Sequence, residues 1–226
     1  MSHHTHTHIY IYTTARLIGA DALTGIIEAC ESESLLPAYG TVYMSSKIPK
    51  YIRPILAGVM RCFGQQRASD LVAALGEKTI HEFYEAVIDR KKYEAEYLKC
   101  WKESKLDVLI SPGGALPALP LGAFKNLFAS FVYTTHFNLL NYPTGTVPVT
   151  QVREDESKKY ESSHRDILDS LALKALQGST GMPVGVQVTA LPFRDEIALH
   201  AMQELEFSLK RPFQISALSK EFNKQT

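Results

Sequence analysis

Cysteine is scarce in this chain of 226 residues: Cys30, Cys62 and Cys100 are the only three. They are too few and too far apart for a disulfide framework or a Cys-x-x-Cys metal site, and they fit structural thiols in a reducing compartment. An excess of one charge is also missing. Lys plus Arg (24) cancels Asp plus Glu (24), so there is no global positive field to attract nucleic acid. No run approaches the ~18 apolar residues of a spanning helix, and no basic stretch leads into an apolar one at the start. Secretion and simple transmembrane anchoring are therefore not expected. Phosphate loops of the Walker or GxGxxG kind and a GxSxG elbow are absent too. Outside the first residues the histidines are His81, His136, His164 and His200. None has a second ligand at metal-binding spacing, so each reads as a surface or satisfied residue, and no metal or cofactor is expected.

What is present is an ordinary globular composition, 45% hydrophobic and 21% charged, enough for one domain or one plus a small appendage. Residues 1–14 stand apart. Their alternations His-Thr-His-Thr-His and Ile-Tyr-Ile-Tyr are what a CA-repeat running into a TA-repeat encodes. The segment reads as translated dinucleotide repeat, with an expression tag as the other reading, and it suggests that the true N-terminal coding sequence is missing.

Residues 15–40 combine an apolar helical face (Ile18, Ala22, Leu23, Ile26, Ile27, Cys30) with a loop expected around Pro37 and Gly40. Between Ser34 and Ser69 there is no acidic residue, while Lys47, Lys50, Arg53, Arg61 and Arg67 occur. Interleaved with them, Ile48, Tyr51, Ile52, Ile55, Leu56, Val59, Met60 and Phe63 form a helical stripe broken by Pro54 and Gly58. A short basic amphipathic segment of this kind is the pattern of an interfacial helix, with an amphipathic core helix as the plainer alternative. A long helix follows over 79–102, with apolar residues every three or four positions and charges opposite. Strands are expected at 106–110, 146–152 and 183–191, the last from the alternation of Val184, Val186, Val188 and Ala190. Helices are expected at 126–140, 166–177 and 195–210, with a proline-bearing loop at 115–125 and a charged surface insertion at 153–165. This alternation argues an α/β fold.

The residues by themselves contain no active site. Ser45-Ser46-Lys47 has the types of a nucleophile–base pair, but that chemistry needs a desolvated lysine meeting a serine across a fold, not beside it in the chain.

Four segments in order nevertheless form a pattern. They are Leu106-Asp-Val-Leu-Ile-Ser-Pro112, Asn141-Tyr-Pro-Thr-Gly145-Thr-Val-Pro-Val-Thr150 (with Tyr133, Thr134 and Asn138 before it), Gly181-Met-Pro-Val-Gly-Val-Gln187, and Leu191-Pro-Phe-Arg-Asp-Glu196. The pattern resembles the C-terminal half of amidase signature enzymes, most of all the fatty-acid amide hydrolase branch, over roughly residues 40–210. The resemblance implies a layered amidase-type α/β fold, helices around a mixed β-sheet and incomplete here, with 15–226 as the C-terminal portion of an amidase domain. It also places a membrane-binding cap at 43–67, its apolar contacts being Tyr51, Ile52, Ile55, Leu56, Val59, Met60 and Phe63. Phe131, Thr135 and Phe193 are implied to line the acyl channel, with Phe128 a further candidate.

Enzymes of this family use a serine nucleophile, a bridging serine and a neutral lysine in a Gly/Ser-rich stretch. No such stretch occurs in the 226 residues, so the chain is expected to be inactive alone, as a fragment or a truncated gene product. Its expected partners are a lipid amide substrate and a membrane surface, on which it would sit as an intracellular, peripheral (monotopic) protein, without nucleic acid; homodimerisation stays open. A non-catalytic lipid- or membrane-binding remnant, and a soluble small-amide amidase or amidotransferase, are the competing readings.

Overall fold

In a computed structural model, residues 3–30, 33, 37–127, 130, 132–156 and 166–209 are described. The repeat-like segment belongs to helix α1 (His3–Ile18). Its end is docked: Thr13, Thr14 and Ala15 are buried, and Ile11 and Leu17 pack on the main core. The expected apolar face over 18–30 is broken by a turn in which Ala22 and Leu23 take positive φ, 54° and 62°, and α2 (Thr24–Ala29) follows. The loop expected at Pro37 and Gly40 is instead helix α3 (Pro37–Ser46). Proline is at home in a first turn, where its missing N–H has no partner to lose.

The basic stripe becomes α4 (Arg53–Cys62), with Pro54 in its first turn, and α5 (Gln66–Ala74) packs against it. The long helix α6 (Ile80–Glu103) lies where periodicity placed it. Thr79 and Glu82 close its start reciprocally: the Glu82 N–H donates to the Thr79 hydroxyl (3.3 Å) and the Thr79 N–H to the Glu82 carboxylate (2.9 Å).

Strands β1 (Val108–Pro112), β2 (Thr144–Gln151) and β3 (Pro183–Ala190) form an antiparallel sheet in the order β1-β3-β2. Ile110 and Gly145 both pair with Val188, on its two sides. The register shifts between Pro148 and Thr150, next to a residue that cannot donate to the ladder. Between the strands lie α7 (Phe124–Leu127), α8 (Val132–Leu140) and α9 (Ile167–Leu176); α10 (Asp195–Ser208) ends the described chain.

Both faces of β3 are covered. On one, the Met202 side chain of α10 fills the space beside Gly145, where a Cβ would stand. On the other, the Gln187 side chain reaches a carbonyl of α8. From Gln187 to Ala190 the strand is therefore buried at every position, where alternation alone suggests one wet face. The main core joins Tyr93 and Trp101 of α6 to Phe137, Leu139 and Leu140 of α8 and to Tyr142. The layered helix-and-sheet reading stands, as helices packed around a small antiparallel sheet.

Candidate functional site

An apolar surface ridge runs along α4. Ile52, Ile55 and Val59 are exposed on it or just before it, with Tyr51 (75%) and Phe63 (78%) at its two ends. Leu56 and Met60 are half-buried beside them, and Ala57 faces inward. Positions 52, 55, 59 and 63 fall on one side of a 3.6-residue helix, so the sequence stripe becomes one apolar ridge open to solvent. The ridge is held from beneath. Ser69 of α5, fully buried, donates to the Ala57 carbonyl at 3.0 Å, and Arg61 pairs with Asp70 at 2.9 Å.

Of the basic residues in the segment, Lys47, Lys50 and Arg61 are exposed, Arg67 is half-buried and Arg53 is buried. Arg53 is buried, its guanidinium donating to the carbonyls of Ile48 (2.8 Å) and Ser46 (3.1 Å); it ties the start of α4 to the end of α3. Arg67 binds Asp166 (2.8 Å) and Asp169 (2.6 Å) of the α9 cap, which keeps it charged and holds the Asp166 carboxyl below its usual range. Lys50 is paired with Glu82 at 2.6 Å. Of the five cations, four thus have internal partners. Among the described residues no carboxylate pairs with Lys47, which faces outward, its ammonium 5.3 Å from the Tyr43 ring centroid. Acidic partners outside the segment, invisible to a local charge count, pair with Lys50, Arg61 and Arg67.

The glycine–proline–glutamine strand has clear local causes. Gly181 opens it at φ 80°. A Cβ at Gly185 would sit 2.8 Å from the Thr146 methyl and 3.3 Å from the Val147 carbonyl, so glycine there allows β2 and β3 to approach. Gln187, almost wholly buried, donates from its amide nitrogen to Ser111 Oγ of β1 (3.0 Å) and to the Tyr133 carbonyl of α8 (3.1 Å). Thr134 donates to the Gly113 carbonyl (3.0 Å), fastening the same corner a second time. The motif here is a clasp between sheet and helix.

Of the acyl-channel residues, Thr135 is half-buried on α8, one residue after Thr134 and two before the core residue Phe137. Phe193 stands on the turn between β3 and α10, 94% exposed and at φ 62°. Phe128 and Phe131 lie outside the described residues. Ser46 is buried and donates to the carbonyls of Tyr43 (2.7 Å) and Ala22 (3.2 Å). Its proton closes the end of α3, and Lys47 turns away over Tyr43. His136 lies within the aromatic core, 3.2 Å from the Tyr93 hydroxyl, while His81 and His200 are exposed. Burial raises the hydroxyl pKa of Tyr97 to about 12, with Tyr142 and Cys100 adding to the shift. Among the described residues no group of three His, Cys, Asp or Glu is placed to hold a metal ion, and no helix is long and apolar enough to cross a membrane.

Residues 42–199 match the amidase family model. The chain is similar to fatty-acid amide hydrolase 1 of Sus scrofa, 30% identical over 184 residues, which is 80% of this chain and 31% of that protein. It is 34% identical to fatty acid amide hydrolase 1 of Caenorhabditis elegans over 130 residues, 57% of this chain and 23% of the other. An amidase of Gibberella moniliformis is 31% identical over 124 residues, 54% of this chain and 20% of its own. A solved fatty acid amide hydrolase structure aligns with a TM-score of 0.49 at 18% identity, over 76% of this chain and 36% of that one. The chain spans less than a third of the length of these curated relatives.

Proposed function

The chain belongs to the amidase family, and from that premise we propose that it serves the hydrolysis of fatty-acid amides to fatty acid and amine at a membrane surface. The observation that carries the reading is the ridge Tyr51–Ile52–Ile55–Val59–Phe63, several large apolar side chains open to water on a short helix. Such a helix lies on a bilayer with its apolar side entering the acyl boundary. An enzyme acting on a lipid gains from this placement because its substrate is concentrated there. The similarity to two proteins named fatty-acid amide hydrolase supports the same substrate class. Phe193, with Thr135 and the pair Phe128 and Phe131, is proposed to meet the acyl chain, since aromatic rings bury large apolar area without polar groups that need partners.

The chemistry expected of the family is attack by a serine hydroxyl on the amide carbonyl, its proton passing through a second serine to a neutral lysine and then to the leaving amine. The proposal gives this chain no nucleophile. Ser46 spends its proton on backbone carbonyls, and Lys47 is not directed at it. The chain's contribution is the membrane face, part of the acyl channel, and the clasped sheet beneath them.

Flotation with phosphatidylcholine vesicles tests the reading. The full chain should float, and Ile55→Glu should release it at every salt concentration, because the lost contribution is burial and not charge. Equal flotation of the two proteins, or none of either, would remove the membrane reading and leave a soluble small-amide amidase.

A further inference from the structure

Four cations converge where α1, α4 and α5 meet the start of α6. Arg16, Lys50, Arg53 and Lys78 line a cavity of about 350 Å³, faced by the carboxylates of Glu82 and Glu85. Two of the four are satisfied. Arg16 is bonded to Asp89 at 3.0 Å and to the Glu82 carbonyl at 3.2 Å, and Lys50 to the Glu82 carboxylate at 2.6 Å.

The other two are not. Among the described residues Arg53 hydrogen-bonds only to neutral carbonyls, with Glu77 and Glu82 acting on its charge from further off. The half-buried Lys78 ammonium has no hydrogen-bond partner among the described residues, since its backbone N–H alone is engaged, with the Ala20 carbonyl. Both are partly withdrawn from water in one cavity, with carboxylates near but not bonded to them, Glu77 and Glu82 acting on Arg53 and Glu82 on Lys78.

We propose that this cavity binds a phosphate monoester, whose oxygens accept hydrogen bonds from the Lys78 ammonium and the Arg53 guanidinium. The guanidinium fork suits phosphate oxygens. The cavity lies against the membrane ridge, because Pro54 lines it and the next residue, Ile55, is on the ridge. A phosphomonoester lipid headgroup and a soluble phosphate ester present the same chemistry to it.

Burial, joined by Arg53, Arg16 and Lys50, lowers the Lys78 ammonium to about 8, against an opposing pull from Glu82. The groups facing it are Tyr12 and Arg16 from α1, Lys50 and Arg53 at α4, and Glu82 and Glu85 from α6; the α5 contribution, Ala73, does not titrate. The ammonium form is the one that holds a dianion, so affinity should fall as pH rises through about 8.

Calorimetric titration of the full chain with inorganic phosphate, at constant ionic strength in chloride, tests the site. It is paired with flotation on phosphatidylcholine vesicles doped with phosphatidic acid or, at matched surface charge, phosphatidylserine. Lys78→Met should weaken phosphate binding about tenfold or more while Lys78→Arg retains it. Lys50→Met, at the exposed rim, should weaken it by a smaller factor and stands in should Lys78→Met not fold. Binding of inorganic phosphate without a phosphatidic acid preference supports the site and identifies a soluble ester. A phosphatidic acid preference that survives Ile55→Glu supports it and identifies a headgroup. If phosphate binds no better than chloride and phosphatidic acid no better than phosphatidylserine, the proposal is overturned. The same holds if folded Lys78→Met binds phosphate like the parent chain.

Discussion

Arg67 and Asp166 are 99 positions apart in sequence and meet as an ion pair, with Arg67 Nε 2.8 Å from one carboxylate oxygen. Asp166 also accepts the Asp169 N–H at 3.0 Å and so caps α9. One buried carboxylate thus closes one helix and anchors another, and through Arg67 it fixes the α4–α5 pair to the α9 side of the molecule.

Replacing Arg67 with Ala strands two buried carboxylates. With Arg67 itself partly exposed and solvent able to relax in, the cost should be about 2 kcal/mol in urea unfolding, below the full figure for a buried pair. Asp166→Ala should cost about as much through loss of both cap and pair. The Asp166 carboxyl is held below its ordinary value, first by the Arg67 hydrogen bond. Its contribution is therefore present above about pH 4 and is lost as pH falls towards the depressed value. Acid titration of stability should show a shallower decline for Asp166→Asn than for the parent.

Gln187→Ala should cost about 3 kcal/mol, because a packed side chain is lost and the Ser111 hydroxyl and Tyr133 carbonyl lose their partner. Gly185→Ala should cost about 1–3 kcal/mol by forcing β2 and β3 apart at Thr146. Both are read from chemical denaturation. A change under about 0.5 kcal/mol for both would mean that the motif does not act as a clasp.

A fluorophosphonate probe, which labels activated serines, should leave the full chain unmodified, Ser45 and Ser46 included. Ser46→Ala should instead act on stability, at about 1 kcal/mol, since its hydroxyl is a helix-end hydrogen bond. Stoichiometric labelling at either serine, seen by mass spectrometry, would reverse this assignment.

Cation reversals in the basic segment should separate into two behaviours. Lys47→Glu is expected to leave the unfolding midpoint unchanged and to weaken flotation on anionic vesicles at low salt, with the difference fading at high salt. Arg53→Glu should destabilise the fold by several kcal/mol, because it places a carboxylate against the carbonyls of Ile48 and Ser46. If both shift flotation equally without a stability difference, Arg53 is a surface residue after all.

The sequence by itself determined the strongly periodic elements and the family. The 3.6-residue period over 79–102 and the alternation at 183–191 are local properties, and α6 and β3 formed where they lie. The exposed side of α4 was legible for the same reason: Ile52, Ile55, Val59 and Phe63 share a face through helix geometry alone. The Thr79-x-x-Glu82 signature of the α6 start was equally open to reading and fixes that boundary. Tertiary structure alone decided what the charges do. Arg53, Arg61 and Arg67 look like unpaired cations in a stretch without acids, yet Asp70, Asp166 and two carbonyls claim them. Lys78, unremarkable in sequence, is left facing Arg53 across a cavity. Periodicity is carried by neighbours along the chain, whereas a charge is settled by whichever group the fold brings within about 4 Å, and that distance is not written in the local sequence.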